Sequence, residues 1–370
     1  MSAHDMLKPK EYILDVPLYV PGAHQAAGAL PPAILSANEN ALGCSLAAKA
    51  VLKNTINAIH RYPDGGSNAL REAIADIYKL PPSQLIATAG SDELISLICR
   101  AYVGAGDEVL MSQYGFLMVE ISAKLCGASV VKAPETDYHA NIDAILDAVN
   151  ERTKIVMLAN PNNPTGSYLD RQALHRLHQA LPKRVLLVID GAYCEYVDAE
   201  DYDDGMDLVK TASNVIVTRT FSKIYGLASL RLGWGYADQT IIDVLNRVRP
   251  PFNVSAQAQT VGIAAVQDQG FIKRAKAHNL SERARVAKQL YQLGHNQGWI
   301  LHPSVTNFIM LELGDKAQAA AVADHLMAQG IIVRPLQAYG LERHLRITIG
   351  TIDENDRLLA ALKHYERADA

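Results

Sequence analysis

Lys223 and Arg231 stand eight residues apart in SKIYGLASLRLGW, a segment that begins at Ser222 and turns at Gly226. The lysine follows VIVTRTF, Val215 to Phe221, a β-branched run that reads as a strand. Its amine is therefore delivered where a buried strand ends and the chain turns back. An amine held in a cleft can condense with a carbonyl as a Schiff base. A guanidinium nearby supplies a fixed charge for a phosphate. The pair points to a group that carries both functions, pyridoxal phosphate. Alone, Lys223 is one of 35 lysines and arginines, most of which a fold leaves in solvent, so its company must decide.

Two upstream segments supply that company. NPNNPTG, Asn160 to Gly166, follows the apolar run KIVMLA and reads as a strand that ends in a polar, proline-punctuated loop before a helix starting near Asp170. VLLVID, Val185 to Asp190, is apolar until it delivers a carboxylate, with Tyr193 three residues on. Ligands of open α/β sheets bind at that carboxyl edge. A lone strand-end Asp is as readily a helix cap; the conjunction with Lys223 is far more specific. In TAGSDELISLICRAY a strand end passes through Gly90 and Ser91 into a helix, whose free amides and dipole suit an anion. A plain N-cap is the competing reading. In LRITIG the apolar set Leu345, Ile347 and Ile349 alternates with Arg346 and Thr348, so the arginine faces away from the core. On pattern alone it is an exposed edge residue.

Taken in order, Asn-Pro-x-Gly, Asp-x-x-Tyr, Ser-Lys and then Arg, these landmarks resemble the class I/II pyridoxal-phosphate aminotransferases of fold type I. The resemblance runs from ANENALG at Ala37 through RYPDGGSNALREAIA at Arg61 to LRITIGT at Leu345. It implies pyridoxal 5′-phosphate as cofactor, with Lys223 as the covalent attachment and proton carrier and Asp190 beside the pyridine nitrogen. Asn163 and Tyr193 would meet the phenolic oxygen, Tyr114 would lie over the ring, and Ser91, Asp92, Ser222 and Arg231 would cradle the phosphate. Tyr62 would reach the phosphate of a second subunit, which implies a homodimer with shared sites. Arg346 would capture the substrate anion, with Arg334, Asn38 and the arm residue Tyr19 assisting. His24 departs from the basic residue that relatives often carry there. The NEN, RYPD, NPNNPTG and LRITIGT spellings favour the branch that exchanges an amino group between glutamate/2-oxoglutarate and histidinol phosphate/imidazole acetol phosphate in histidine biosynthesis. Transamination of aromatic amino acids stays open, as does decarboxylation of threonine phosphate. A cofactor-binding transcription regulator would need an added basic domain, for which the arm is too short.

The elements that must position these residues alternate. LIATA, EVLM, SVVKA, KIVMLA, VLLVI, NVIVT and RLGWG read as strands between about Gln84 and Gly235, with helical intervals such as DELISLICRAY and RQALHRLHQAL. This rhythm predicts an α/β fold with a mostly parallel central sheet flanked by helices. After RPPFNVS the pattern becomes one long helix from Gln257 to about Asn296, then strands at NFIMLEL, IIVRPL and LRITIG and a last helix from Glu354. The expected organisation is an N-terminal arm over 1–35, a large cofactor-binding domain over 36–254 and a smaller α+β domain over 255–370.

Composition fits a metabolic enzyme. A chain of 370 residues with 49% hydrophobic residues exceeds what one core usually fills, so about two domains are expected. A net charge of −4 without a Lys/Arg run argues against nucleic acid. The N-terminus MSAHDMLKPKEYILDV has no apolar signal region, and no run is apolar enough to span a bilayer, so a cytoplasmic location is expected. Cys44, Cys99, Cys126 and Cys194 lack metal-like spacing and read as reduced thiols. The two histidines of LHRLH have no carboxylate or cysteine set beside them and read as surface polar residues, with no metal expected.

Overall fold

The computed structural model describes residues 8–18, 31–56, 59–295 and 297–365; Tyr19 and His24 lie outside them. Strand β1 (Ala33–Ile34) precedes α1 (Leu46–Asn54) and α2 (Asn68–Tyr78). An alternating stretch follows: β2 (Leu85–Thr88), α3 (Ser91–Tyr102), β3 (Glu108–Ser112), α4 (Leu117–Leu125), β4 (Ser129–Ala133), the short pair β5 (Glu135–Thr136) and β6 (His139–Ala140), and α5 (Ile142–Ala148). It continues through β7 (Thr153–Ala159), α6 (Arg171–Ala180), β8 (Leu186–Asp190), α7 (Met206–Thr211), β9 (Val215–Thr220), β10 (Gly233–Ala237) and α8 (Gln239–Val248). The rest comprises α9 (Ala256–Gln267), α10 (Gln269–His295), β11 (Ile300–His302), β12 (Phe308–Glu312), α11 (Lys316–Ala328), β13 (Ile331–Ile332), β14 (Arg334–Leu336), β15 (Leu341–Thr348) and α12 (Ile352–Lys363).

The central sheet has seven strands in the order β2-β10-β9-β8-β7-β3-β4. Only β10 runs against its neighbours; β8 and β9, β7 and β8, and β3 with both β7 and β4 pair in parallel. The strands are apolar on both faces because helices cover both. Leu110, Val156, Leu158, Leu187, Ile189, Val215 and Val217 join one buried cluster, while Val109, Met111, Ile155, Met157, Leu186, Val188 and Ile216 join another. Residues of alternate parity thus feed opposite layers. All the parallel strands end on one side, so the loops after β2, β3, β7, β8 and β9 converge there.

The smaller sheet is antiparallel, β11-β12-β15-β14. Its core joins Leu345, Ile347 and Ile349 to α10, α11 and α12. β1 pairs in parallel with β13, and Ala33 and Leu35 are buried in this same cluster. The expected single helix over 257–296 is two. Asp268 leaves helical geometry, and its carboxylate accepts from the Phe271 amide at 2.9 Å, which caps the start of α10. Ala258, Val261, Ala265 and Phe271 pack with the large sheet's cluster, whereas Val286 and Leu290 pack with the small one; the change of partner falls inside α10.

Candidate functional site

One cleft opens where the parallel strands end, lined by Ser36, Asn38, Ser91, Asp92, Phe116, Asn163, Asp190, Tyr193, Thr220, Ser222, Lys223, Arg231, Arg334, Tyr339 and Arg346 among others. These residues come from segments more than 300 positions apart in sequence: Ser36 bonds Arg346, a separation of 310. Most of them sit in the first residues after a strand. Asp190 ends β8, Lys223 lies three residues past β9, Asn163 four past β7, and Ser91 opens α3 after β2.

Lys223 Nζ donates to the Ala37 carbonyl at 3.1 Å and lies 5.7 Å from the centre of the Tyr193 ring. The amine is thus held in the cleft, at the turn closed by Gly226. That glycine has φ +68°, and an added Cβ would overlap the Gly43 carbonyl, so no other residue fits the turn. Asp190 is 5% exposed and accepts from Thr218 Oγ1 at 2.8 Å. Burial pushes its carboxyl up to about 6, with Asp92 adding to the rise and the Thr218 hydrogen bond opposing it. Such a carboxylate is short of positive charge, and a cationic ring nitrogen would supply it. Tyr193, buried as well, has its phenol pushed up to about 12 by burial, and its hydroxyl accepts from Asn38 Nδ2 at 2.9 Å.

The end of the cleft beside Arg231 is built around two glycines. Gly90 has φ +87°, and a Cβ there would come within 2.6 Å of Arg231 Nη2. A Cβ on Gly233 would come within 2.5 Å of the Ser91 amide nitrogen. Arg231 therefore packs close against the start of α3, with Nη1 donating to Ser222 Oγ at 3.3 Å and Nη2 to Asp92 Oδ2 at 3.0 Å. Guanidinium, hydroxyls and unpaired helix amides together suit a phosphate. The donor set thus fits pyridoxal phosphate at both ends, with an amine between them.

The exposed-edge reading of Arg346 is overturned. β15 is an inner strand of its sheet, and Arg346 is 7% exposed. Its Nη1 donates to Asn163 Oδ1 at 2.5 Å and its Nη2 to the Ser36 carbonyl at 2.8 Å, so it bridges the two sheets. Arg334 is its cross-strand partner in β14. Tyr114 does not reach the cleft lining; its ring lies 5.8 Å from that of Tyr138, and Phe116 lines the cleft instead. Tyr62 is 83% exposed, stacked on Phe252 at 4.6 Å, and takes no part in the cleft of its own chain. Burial drives the Cys194 thiol well above its ordinary value, which leaves it inert toward nucleophilic work. His175 and His178 bond Asp203 and Asn214.

The support beneath the cleft lies outside the residues expected from the motifs. Arg219 is fully buried; its Nη1 donates to the Gly191 carbonyl at 3.2 Å and its Nη2 to Asp204 at 2.7 Å. It holds the turn between Asp190 and Tyr193. The signal was available: Thr218, Arg219 and Thr220 interrupt a strand buried along its whole length, and buried polar groups must be partnered. Ser36, Ala37 and Tyr339, which also line the cleft, carry no such signal.

Residues 33–362 match the family described as aminotransferase class I and II. The chain is 48% identical to the histidinol-phosphate aminotransferase of Maricaulis maris over 364 residues, 98% of this chain and 99% of that protein. It is 45% identical to the enzyme of the same name from Granulibacter bethesdensis, over 97% of this chain and 96% of that one. Among solved structures, histidinol-phosphate aminotransferase from Sinorhizobium meliloti, in complex with pyridoxal-5′-phosphate, superposes with a TM-score of 0.88 at 28% identity, covering 98% of both chains. With a strand-end lysine, a buried aspartate and an arginine-capped helix start gathered in one cleft of this fold, the chain belongs to the class I and II aminotransferases.

Proposed function

We propose that the chain is a pyridoxal-phosphate-dependent transaminase that passes an amino group between glutamate/2-oxoglutarate and histidinol phosphate/imidazole acetol phosphate, in histidine biosynthesis. The observation that carries the reading is the convergence of Lys223, Asp190, Arg231 and Arg346 on one cleft, in a chain 48% identical end to end to a protein named for that reaction. The cofactor, when bound, supplies the carbonyl that takes up the amine and a ring that absorbs the electrons of the broken α-carbon bond. The protein's residues do the rest. Asp190 holds the proton on the ring nitrogen. Ser91 and Asp92 through the amides opening α3, with Ser222 and Arg231, hold the phosphate. Asn163 and Tyr193 meet the phenolic oxygen. Lys223 Nζ moves a proton from the substrate's α-carbon, and Arg346, with Arg334 and Asn38 nearby, holds the substrate anion.

Both substrates present an anion, a carboxylate in one half-reaction and a phosphate in the other, and one arginine fork serves both. The enzyme works in the cytoplasm as a homodimer, with Tyr62 reaching the site of the partner subunit. The proposed division is an arm over 1–35, a large domain over 36–254 and a small domain over 255–370, and the change of packing partner inside α10 supports two cores. A coupled assay decides the substrate: kcat/KM for histidinol phosphate, phenylalanine, tyrosine and threonine phosphate on one preparation should be led by histidinol phosphate. Phenylalanine or tyrosine leading, or carbon dioxide released from threonine phosphate, would overturn the assignment.

A further inference from the structure

On the face of the small sheet that carries Arg346, three strands gather a second polar cluster. His302 ends β11 and Glu312 ends β12. His344 in β15 is the cross-strand partner of Glu312, and His302 pairs with Met310, two residues before Glu312 on the same face. His302 Nε2 lies 3.0 Å from Glu312 Oε2, and His344 Nε2 lies 3.5 Å from the same oxygen. One ligand atom from each residue lies within 4.8 Å of the other two. A tetrahedral ion with ligands at about 2.0–2.2 Å sets those ligands roughly 3.3 Å apart, so little movement is needed to close on one.

We propose that His302, Glu312 and His344 form a binding site for a divalent transition-metal ion, with Zn²⁺ the ion their chemistry favours. Two imidazoles and one carboxylate suit zinc, whereas calcium and magnesium take oxygen sets. The ligands stand on paired strands rather than loops, which fixes their separation. Side-chain exposures of 15%, 8% and 3% for His302, Glu312 and His344 leave access past His302, on the edge strand. Arg343 Nη2 holds the other carboxylate oxygen, Oε1, at 2.6 Å, and this outer contact turns Oε2 toward the histidines. The Tyr138 hydroxyl lies 3.0 Å from His344 Nε2 and 3.5 Å from Glu312 Oε2, at the place of a fourth ligand or of the group a bound water contacts. Tyr138 belongs to the turn between β5 and β6, and its carbonyl accepts from Ser167 Oγ at 2.7 Å. The ion thus links the small sheet to the loop that follows Asn163.

The test uses the cofactor-loaded protein, stripped with a chelator and titrated with Zn²⁺ by calorimetry and with Co²⁺ by visible absorption. One equivalent per chain, bound at micromolar or tighter, with the intense visible bands of four-coordinate cobalt, is expected. His302→Gln and His344→Asn should each weaken binding at least tenfold. Binding that is weaker than micromolar, not stoichiometric, or unchanged in His302→Gln overturns the proposal and leaves a hydrogen-bonded cluster only. Should His344→Asn not fold, His302→Gln decides alone, because it alters an edge residue. Neither outcome depends on the transaminase reading.

Discussion

Asp190 is costly to the protein by itself. Burial pushes its carboxyl up to about 6 from the ordinary 3.8, so the folded state prefers the proton. Stability contributed by that preference is complete below about pH 4 and is lost as pH rises through 6. The shift corresponds to about 3 kcal/mol. Protein stripped of cofactor should therefore be stabilised by Asp190→Asn above pH 6, on the order of 2–3 kcal/mol, with no difference below pH 4. Denaturant unfolding of both proteins at pH 4 and pH 7.5 checks this, and an equal difference at the two pH values would refute it. With cofactor the sign should reverse, since on the proposed reading the ring cation becomes the carboxylate's partner. Asp190→Ala should then lower kcat by more than about tenfold, roughly 1.4 kcal/mol. At Lys223, substitution by Ala should abolish turnover and the visible absorbance of the lysine-bound cofactor; a fully active Lys223→Ala protein would end the reading. Arg346→Lys keeps the charge and loses the fork that Asn163 and the Ser36 carbonyl now hold. Both half-reactions should weaken together by about 1–3 kcal/mol in single-turnover rates, whereas a loss confined to one would mean that the two anions bind at different places.

At the scale of elements, the proposed phosphate end depends on the join between β2 and α3. Gly90 at φ +87° stands against the Arg231 guanidinium, so Gly90→Ala strains the backbone and displaces the arginine together. Pyridoxal phosphate should dissociate at least tenfold more readily, about 1.4 kcal/mol, with the far-ultraviolet circular dichroism unchanged; equilibrium dialysis against the wild type measures it. The strands and the loops after them were legible in the sequence because each strand is uniformly apolar and then abruptly polar, as at Asp190 and Asn160. Periodicity says which elements exist and where their side chains point. It says nothing of which strands are neighbours, so Arg346 reads as an edge residue until β14 is seen to pair with β15. The three-strand cluster of His302, Glu312 and His344 was illegible for the same reason, since its spacing of 10 and 32 residues matches no local ligand motif. The break at Asp268 was missed because the flanking segments are both strongly helical and the capping contact is a single side chain.

At the scale of the molecule, exposed apolar side chains gather along one segment. Leu42, Leu46, Leu52, Ile56, Ile59 and Tyr62 are each between 39% and 83% exposed, and Phe252 is 44% exposed beneath Tyr62. So much apolar surface gathered in one segment and its stacking partner is what an association face presents. If the partner subunit lies there, Tyr62 of one chain completes the site that contains Lys223 of the other. Mixing two inactive proteins tests this directly. One carries Lys223→Ala; the second carries Tyr62→Ala with Arg61→Ala. In a hybrid dimer with shared sites, one site collects both lesions and the other has an intact lysine and an intact tyrosine. Random re-pairing after mild denaturation makes about half the dimers hybrid, so about a quarter of wild-type activity should return. With unshared sites, every site keeps its own lesion and the mixture should be no more active than the better parent. Light scattering on the wild type at assay concentration gives the independent reading, a mass twice that of the 40.3 kDa chain; a fully active monomer would remove both the dimer and the role of Tyr62.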